Sequence, residues 1–284
     1  MIESTKRRLA RRLTIARTRP RETVELIAFR LLYGAVLAAM IAPLLIIVGT
    51  SFNHDATLTF PPDQFSLVWY QEFLTDSRWM RAFANSLLIA SATTVLSLVL
   101  GTTAAYGIQG VDSRITQVLL PVVLLPLLIP PVVIGIVLVI YMSMLGLFQT
   151  YVSIVIAHTL WAAPLVFFVM QAVLSRFDWQ LRDAALDLGG TPLEAFRHAA
   201  LPQIKSGIAA AGLIAFIISL QEFIMALFLS SYATQTVPVL AWSALRQFID
   251  PIISVVSTIL MLSIFVVLVP IVLLFSFDWV ARQL

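Results

Sequence analysis

Apolar and polar positions in this 284-residue chain fall into long blocks and do not alternate. A helix that crosses a bilayer needs about 20 apolar residues at about 1.5 Å rise each. Six runs meet that length: 31–52, 86–108, 118–142, 154–172, 207–228 and 253–275. Membrane-spanning strands would be shorter and would alternate apolar with polar. The pattern predicts an all-α integral membrane protein with six transmembrane helices. One interruption differs from the rest. Residues 180–205, between the fourth and fifth runs, read Q-L-R-D-A-A-L-D-L-G-G-T-P-L-E-A-F-R-H-A-A-L-P-Q-I-K. Leu181 to Leu188 reads as a short helix with Ala184, Ala185 and Leu188 on one side, stopped by Gly189 and Gly190. Thr191, Pro192 and Glu194 then supply a cap, a first-turn proline and a capping box. The second helix is expected to run to about Ala200 and to break at Leu201-Pro202. Two short helices at an angle, with Leu193 and Phe196 available to a partner, predict a docking element. A plain loop would need none of this specification.

Composition excludes a soluble domain. Apolar residues are 60% and charged residues 12% of the chain, whereas soluble domains are about 25% charged. There is no cysteine, which excludes disulfides, a thiol nucleophile and Cys-based metal sites. The three histidines lie in different segments and give no metal cluster. Nine of the 18 Lys and Arg lie in residues 1–30 (Lys6, Arg7, Arg8, Arg11, Arg12, Arg17, Arg19, Arg21 and Arg30). Beside a spanning helix such a cluster reads as an anchor on anionic lipid, not as a nucleic-acid site. With a cytoplasmic N-terminus, Arg114, Arg176, Arg182, Arg197, Lys205 and Arg282 bring the inside total to 15, against 3 outside (Arg78, Arg81 and Arg246). The excess of positive charge inside puts both termini and the hairpin in the cytoplasm. The first apolar run lacks a small-residue cleavage site and reads as a retained helix, not a signal peptide. The expected organisation is a basic segment, 1–30, followed by one transmembrane domain, 31–284.

The external loop 53–85 carries Asp55, Asp63, Glu72 and Asp76 with Trp69, Tyr70 and Trp79. It reads either as an interfacial segment with aromatic anchors or as a docking surface for an extracytoplasmic partner. Glu222 is the only acidic residue inside a predicted span. A charge there costs on the order of 3 kcal/mol unless paired or wet. It either faces the solute pathway, where it would attract a cation, or is hydrogen-bonded at a helix contact, with His158 as partner. Pro121, Pro126, Pro130 and Pro131 bend the third run, as pathway lining or as a kinked packing helix. Gln221, Tyr141 and Trp161 are further pathway candidates.

The hairpin resembles the EAA loop of inner-membrane permease subunits of binding-protein-dependent ABC importers. That pattern is E-A-A, three residues, G, nine residues, I, one residue, L-P. Here Asp183-Ala184-Ala185, Gly189 and Leu201-Pro202 keep the spacing, while Asp183 replaces the Glu and Ala199 the Ile. The chain is similar to the spermidine/putrescine permease group in Ser51-Phe52-Asn53, Trp69-Tyr70, Asn85-Ser86-Leu87, His158 with Pro164, and Ser219-Leu220-Gln221-Glu222-Phe223. The basic N-terminal extension is less typical of it. The resemblance implies a type I importer permease fold in a bacterial inner membrane. It makes the hairpin a coupling helix on a cytoplasmic ATPase, with Asp183, Ala184, Ala185, Gly189, Leu193, Phe196, Leu201 and Pro202 at the contact. Implied partners are two ATPase copies, a second homologous permease, and a soluble binding protein outside. The chain has no G-x-x-x-x-G-K-[ST] loop. It is therefore expected to be no enzyme and to hold no cofactor, with ATP and Mg bound by the ATPase. The implied cargo is a small cationic, polyamine-like solute. A different class remains open: an ion-gradient-driven transporter using Glu222 and His158. Such transporters commonly show paired repeats, and none is evident.

Overall fold

The computed structural model describes residues 20–110, 113–247 and 250–281, with side chains described at 25–109, 116–247 and 250–274. The basic residues from Lys6 to Arg19, the Arg114 side chain and Arg282 lie outside the described residues. The described chain is helical apart from short connections and one isolated bridge, Asn53 with Phe65. Five helices are long and apolar enough to cross a membrane, and a bent pair, counted as one span, makes six.

The first helix, α1 (Pro20–Thr50), carries Arg21 and Arg30 on its own N-terminal turns. A short helix, α2 (Val68–Thr75), precedes α3 (Ser77–Gly107). The second span thus starts at Ser77, not Ser86. Asp76 caps it, accepting from the Arg78 N–H at 2.7 Å, and Trp79 and Ala82 are already buried.

The third run is not one helix. It divides into α4 (Ser113–Leu128) and α5 (Pro131–Met144), bent by 91°. Pro121 and Pro126 lie inside α4 without ending it. The adjacent Pro130 and Pro131 do end it. Pro131 forces the residue before it out of the helical region, and Pro130 sits at φ −55°, ψ 135°. The fourth span is α6 (Tyr151–Leu174), capped by Thr150.

The hairpin is α7 (Trp179–Asp187) followed by α8 (Pro192–Ala195). The expected break at Leu201-Pro202 is absent. Phe196–Ala200 forms a π turn that leads directly into α9 (Leu201–Gln221). Pro202 lacks an N–H and its ring crowds the carbonyl four residues back. The chain resolves this with a wider turn, in which the Leu201 N–H reaches the Phe196 carbonyl. The fifth run also stops short of Phe228. Glu222 is extended (φ −66°, ψ 126°), and a separate helix α10 (Ile224–Leu229) follows. Then come α11 (Val237–Leu245) and the last span, α12 (Ile252–Ala281).

The bundle centres on α3, α6 and α9. Helices in lipid associate through close packing of small residues, and Gly101 shows why. A Cβ there would meet the Val166 Cγ1 at 2.7 Å and the Ala163 carbonyl oxygen at 2.9 Å. One core cluster joins Ala105, Val166, Met170, Leu174, Ile204 and Ala211 near the hairpin. A second joins Ile89, Leu138, Ile154, Met225, Ala226 and Leu229.

Candidate functional site

The hairpin is fixed by its own backbone. Gly189 has φ +88°, a left-handed conformation that glycine adopts without strain. Its N–H bonds the Leu186 carbonyl at 2.9 Å, and the Gly190 N–H bonds the Ala185 carbonyl at 3.1 Å. These two bonds close a Schellman turn. The capping box then forms. The Glu194 N–H bonds the Thr191 hydroxyl at 3.3 Å, and the Thr191 N–H bonds the Glu194 carboxylate at 2.8 Å.

The result holds two large apolar side chains away from the rest of the chain. Leu188 is 90% and Leu193 73% exposed. Leu188 was not among the predicted contact residues. Its signal was available: a leucine at a C-cap, followed by two glycines, has no helix face to pack on. Phe196 differs from expectation. It is half-buried and meets the Tyr106 ring edge-on at 5.0 Å, so it anchors the hairpin to α3. Asp183 is exposed, and its Oδ1 accepts from the Arg182 Nη2 at 2.7 Å. Arg182 in turn lies over the Trp179 ring at 5.1 Å. Ala184 is exposed and Ala185 half-buried. Leu201 and Pro202 continue the helix beyond the π turn.

The second feature is the joint between α9 and α10. The Glu222 carboxylate accepts from the Met225 N–H at 2.8 Å and the Ala226 N–H at 3.0 Å. Its Oε2 lies 3.1 Å from the His158 Nε2, and the two side chains are 6% and 0% exposed. The His158 Nδ1 is 2.8 Å from the Ser219 hydroxyl. Glu222 therefore has the hydrogen-bonded geometry at a helix contact, and not an open pathway position. Gln221 and Tyr141 are exposed, whereas Trp161 packs on the cluster around Met225. Among the described residues, no hydrogen bond joins any of these three to Glu222.

The loop at 53–85, expected outside, departs from the aromatic-anchor picture. Trp79 is buried, and Trp69 and Tyr70 pack inward. The Tyr70 hydroxyl is 2.8 Å from the Ser51 hydroxyl. Asn85 bonds the carbonyls of Ala233 and Gln235 at 2.9 Å each. Its carbonyl accepts from Tyr151 at 2.9 Å, so the loop at 233–235 is tied to α3 and α6. Among the described residues, no group of three metal-ligating side chains comes together.

Comparison with known proteins gives consistent relatives. Residues 97–284 match the family described as "Binding-protein-dependent transport system inner membrane component". The chain is 29% identical over 260 residues to the putrescine transport system permease protein PotI of Escherichia coli (strain K12), covering 88% of each. It is 24% identical over 225 residues to the spermidine/putrescine transport system permease protein PotC of Haemophilus influenzae, covering 79% of this chain and 87% of that one. A chain of a bacterial ABC transporter involved in the import of the acidic polysaccharide alginate superposes with a TM-score of 0.72 at 16% identity. That match covers 89% of this chain and 96% of the other.

Proposed function

The chain belongs to the binding-protein-dependent transport system inner membrane component family, and on that premise we propose that it moves a small cationic, polyamine-like solute inward by ATP-driven alternating access. The observation that carries the ATP-driven part is the hairpin, which holds Leu188 and Leu193 out into water on a turn made of hydrogen bonds. An uncovered pair of leucines on a rigid support fits the hydrophobic groove of a partner. The partner is a cytoplasmic ATPase present in two copies, which supplies ATP and Mg. A second permease and an extracytoplasmic binding protein complete the assembly, with both termini of this chain in the cytoplasm. Asp183, Ala184 and Ala185 lie beside the leucines, while Gly189, Leu201 and Pro202 shape the element.

The polyamine reading draws on the names of PotI and PotC. The ion-gradient alternative has little support, since the His158–Glu222 pair is enclosed and its carboxylate already accepts two N–H bonds.

Two measurements test the proposal. Leu188→Asp with Leu193→Asp should abolish co-purification of the ATPase while leaving the purified chain folded. Undiminished co-purification would remove the docking role. Cells lacking this chain should lose uptake of radiolabelled putrescine and regain it on complementation. Uptake that persists without the ATPase, and that an uncoupler stops, would favour the ion-gradient mechanism.

A further inference from the structure

We propose that His158 is a positioning residue that clamps the break in the fifth span, holding the end of α9 and the start of α10 against α6, and that this clamp couples solute movement to ATP hydrolysis. The proposal rests on the importer reading above.

A helix that stops inside a membrane frees carbonyls at its end and N–H groups at the start of the next. In hydrocarbon each unsatisfied group costs several kcal/mol. The break at Glu222-Phe223 contains no proline or glycine, so the covalent chain does not impose it. It persists because side chains replace the lost bonds. The Glu222 carboxylate takes the N–H groups of Met225 and Ala226. The His158 Nε2 faces that carboxylate at 3.1 Å.

His158 belongs to α6, and its other nitrogen meets Ser219 in the last turn of α9 at 2.8 Å. One imidazole from a third helix thus meets the last turn of α9 directly and the start of α10 through the Glu222 carboxylate. Ser219 suits that place because a hydroxyl can donate or accept. It satisfies Nδ1 whether the ring is neutral or protonated. The Glu222 side chain is only 6% exposed. A solute could reach it only after the joint had opened, whereas Gln221, the preceding residue, is exposed.

The clamp lies at one end of a helix whose other end is the hairpin. Pro192 to Gln221 runs as one 30-residue helix through the π turn. Motion delivered at Leu193 therefore arrives at the residue before Glu222. A firm joint would pass that motion to α10 and α6, and a loose one would absorb it.

The test uses the assembled transporter with its own ATPase and binding protein, and reads ATP hydrolysed per putrescine moved. Loss of folded protein lowers both quantities together and leaves this ratio alone. His158→Ala and Glu222→Gln should each raise the ratio about tenfold. Because removing both partners strands neither, the double variant should add no more than about threefold. Ser219→Ala, which removes only the hydroxyl, should raise the ratio about threefold and keeps the test readable if His158→Ala fails to fold. An unchanged ratio in His158→Ala and Ser219→Ala, or single effects that multiply in the double variant, would overturn the proposal. If wild type moves no putrescine, the solute reading fails alone. The clamp is then judged by ATP hydrolysis without solute, which the same variants should raise and which would overturn the clamp if unchanged.

Discussion

Replacing Gly189 separates the shape of the hairpin from its surface. At φ +88° the position is left-handed, yet a Cβ added there would meet nothing within 4 Å. The cost of Gly189→Ala is therefore conformational, not steric, and left-handed backbone costs an L-residue about 1–2 kcal/mol. The Schellman bonds of Gly189 and Gly190 are what that strain works against. If the strained turn relaxes, the population holding Leu188 and Leu193 in place falls by about 5- to 30-fold. Gly189→Asn should lose less, since asparagine tolerates the region, and Gly189→Val more, since β-branching does not. Gly190→Ala breaks the same turn by another route, because its Cβ would meet the Ala185 carbonyl oxygen at 2.8 Å. The assay is ATP hydrolysis by the assembled transporter, stimulated by its binding protein, alongside thermal unfolding of the purified chain. Activity should fall in the order Asn, Ala, Val, with the unfolding temperature nearly constant because the turn is exposed. Equal activity in Gly189→Val and wild type would refute the reasoning, and so would a loss that tracks unfolding.

Gly101→Ala should destabilise the bundle. The better helix propensity of alanine gains about 1 kcal/mol. That gain is outweighed by overpacking of about 1–3 kcal/mol, because one obstacle is the Ala163 backbone carbonyl at 2.9 Å. Gly34→Ala in α1, where a Cβ meets nothing within 4 Å, is the control, and thermal unfolding in detergent reads both. In the cleft that Glu72 shares with Arg78, Trp79 and Asp250, partial loss of water and then Asp250 and Asp76 push the Glu72 carboxyl above its ordinary value. Burial does the same to Asp250. Raised carboxyls favour the protonated fold, so their contribution is lost as pH rises from the ordinary carboxylate range through the raised values. Glu72→Gln should therefore unfold at the same or higher temperature than wild type at neutral pH. The difference should shrink toward pH 4.5, the ordinary glutamate value. A Gln variant less stable at neutral pH would show that the Glu72 charge helps the fold.

What the sequence made legible divides by physical cause. A long apolar run must satisfy its backbone within itself in lipid, so all six runs fall on helix, although the third and fifth are each divided in two. The hairpin was legible because its signals are local: two glycines, a threonine and a glutamate three residues on. Pro130 and Pro131 announced a bend but not its 91°, which depends on what α4 and α5 pack against. Pro202 misled, because a π turn lets a helix pass a proline that propensity would treat as a stop. The break at Glu222 gave no local signal. It is held by His158, which is remote in sequence, and only the pairing of a buried acid with a buried histidine hinted at it. Phe196 reads from the sequence as available to a partner for a similar reason. Its partner, Tyr106, belongs to the end of α3.

The breaks in the third and fifth runs belong to one arrangement. A Cβ at Gly135 in α5 would meet the Phe228 ring at 2.9 Å and the Met225 Cα at 3.5 Å, so α5 lies directly on α10. The second fragments of the two broken spans, α5 and α10, are packed together and share a core cluster with α6. By contrast, α3 and α6 run uninterrupted through the bundle. Displacement along a continuous helix is carried to its far end, and a break localises it. A push at the hairpin therefore has a defined route: about 45 Å along Pro192–Gln221, at 1.5 Å per residue. It ends where His158 of α6 meets Ser219 of α9 and the Glu222 carboxylate that caps α10. On the proposed coupling, the leucines at one end and the His158–Glu222 pair at the other would be the ends of one lever. A loss of coupling from damage at either end, without loss of assembly at the histidine end, is the signature that separates this arrangement from two unrelated structural contacts.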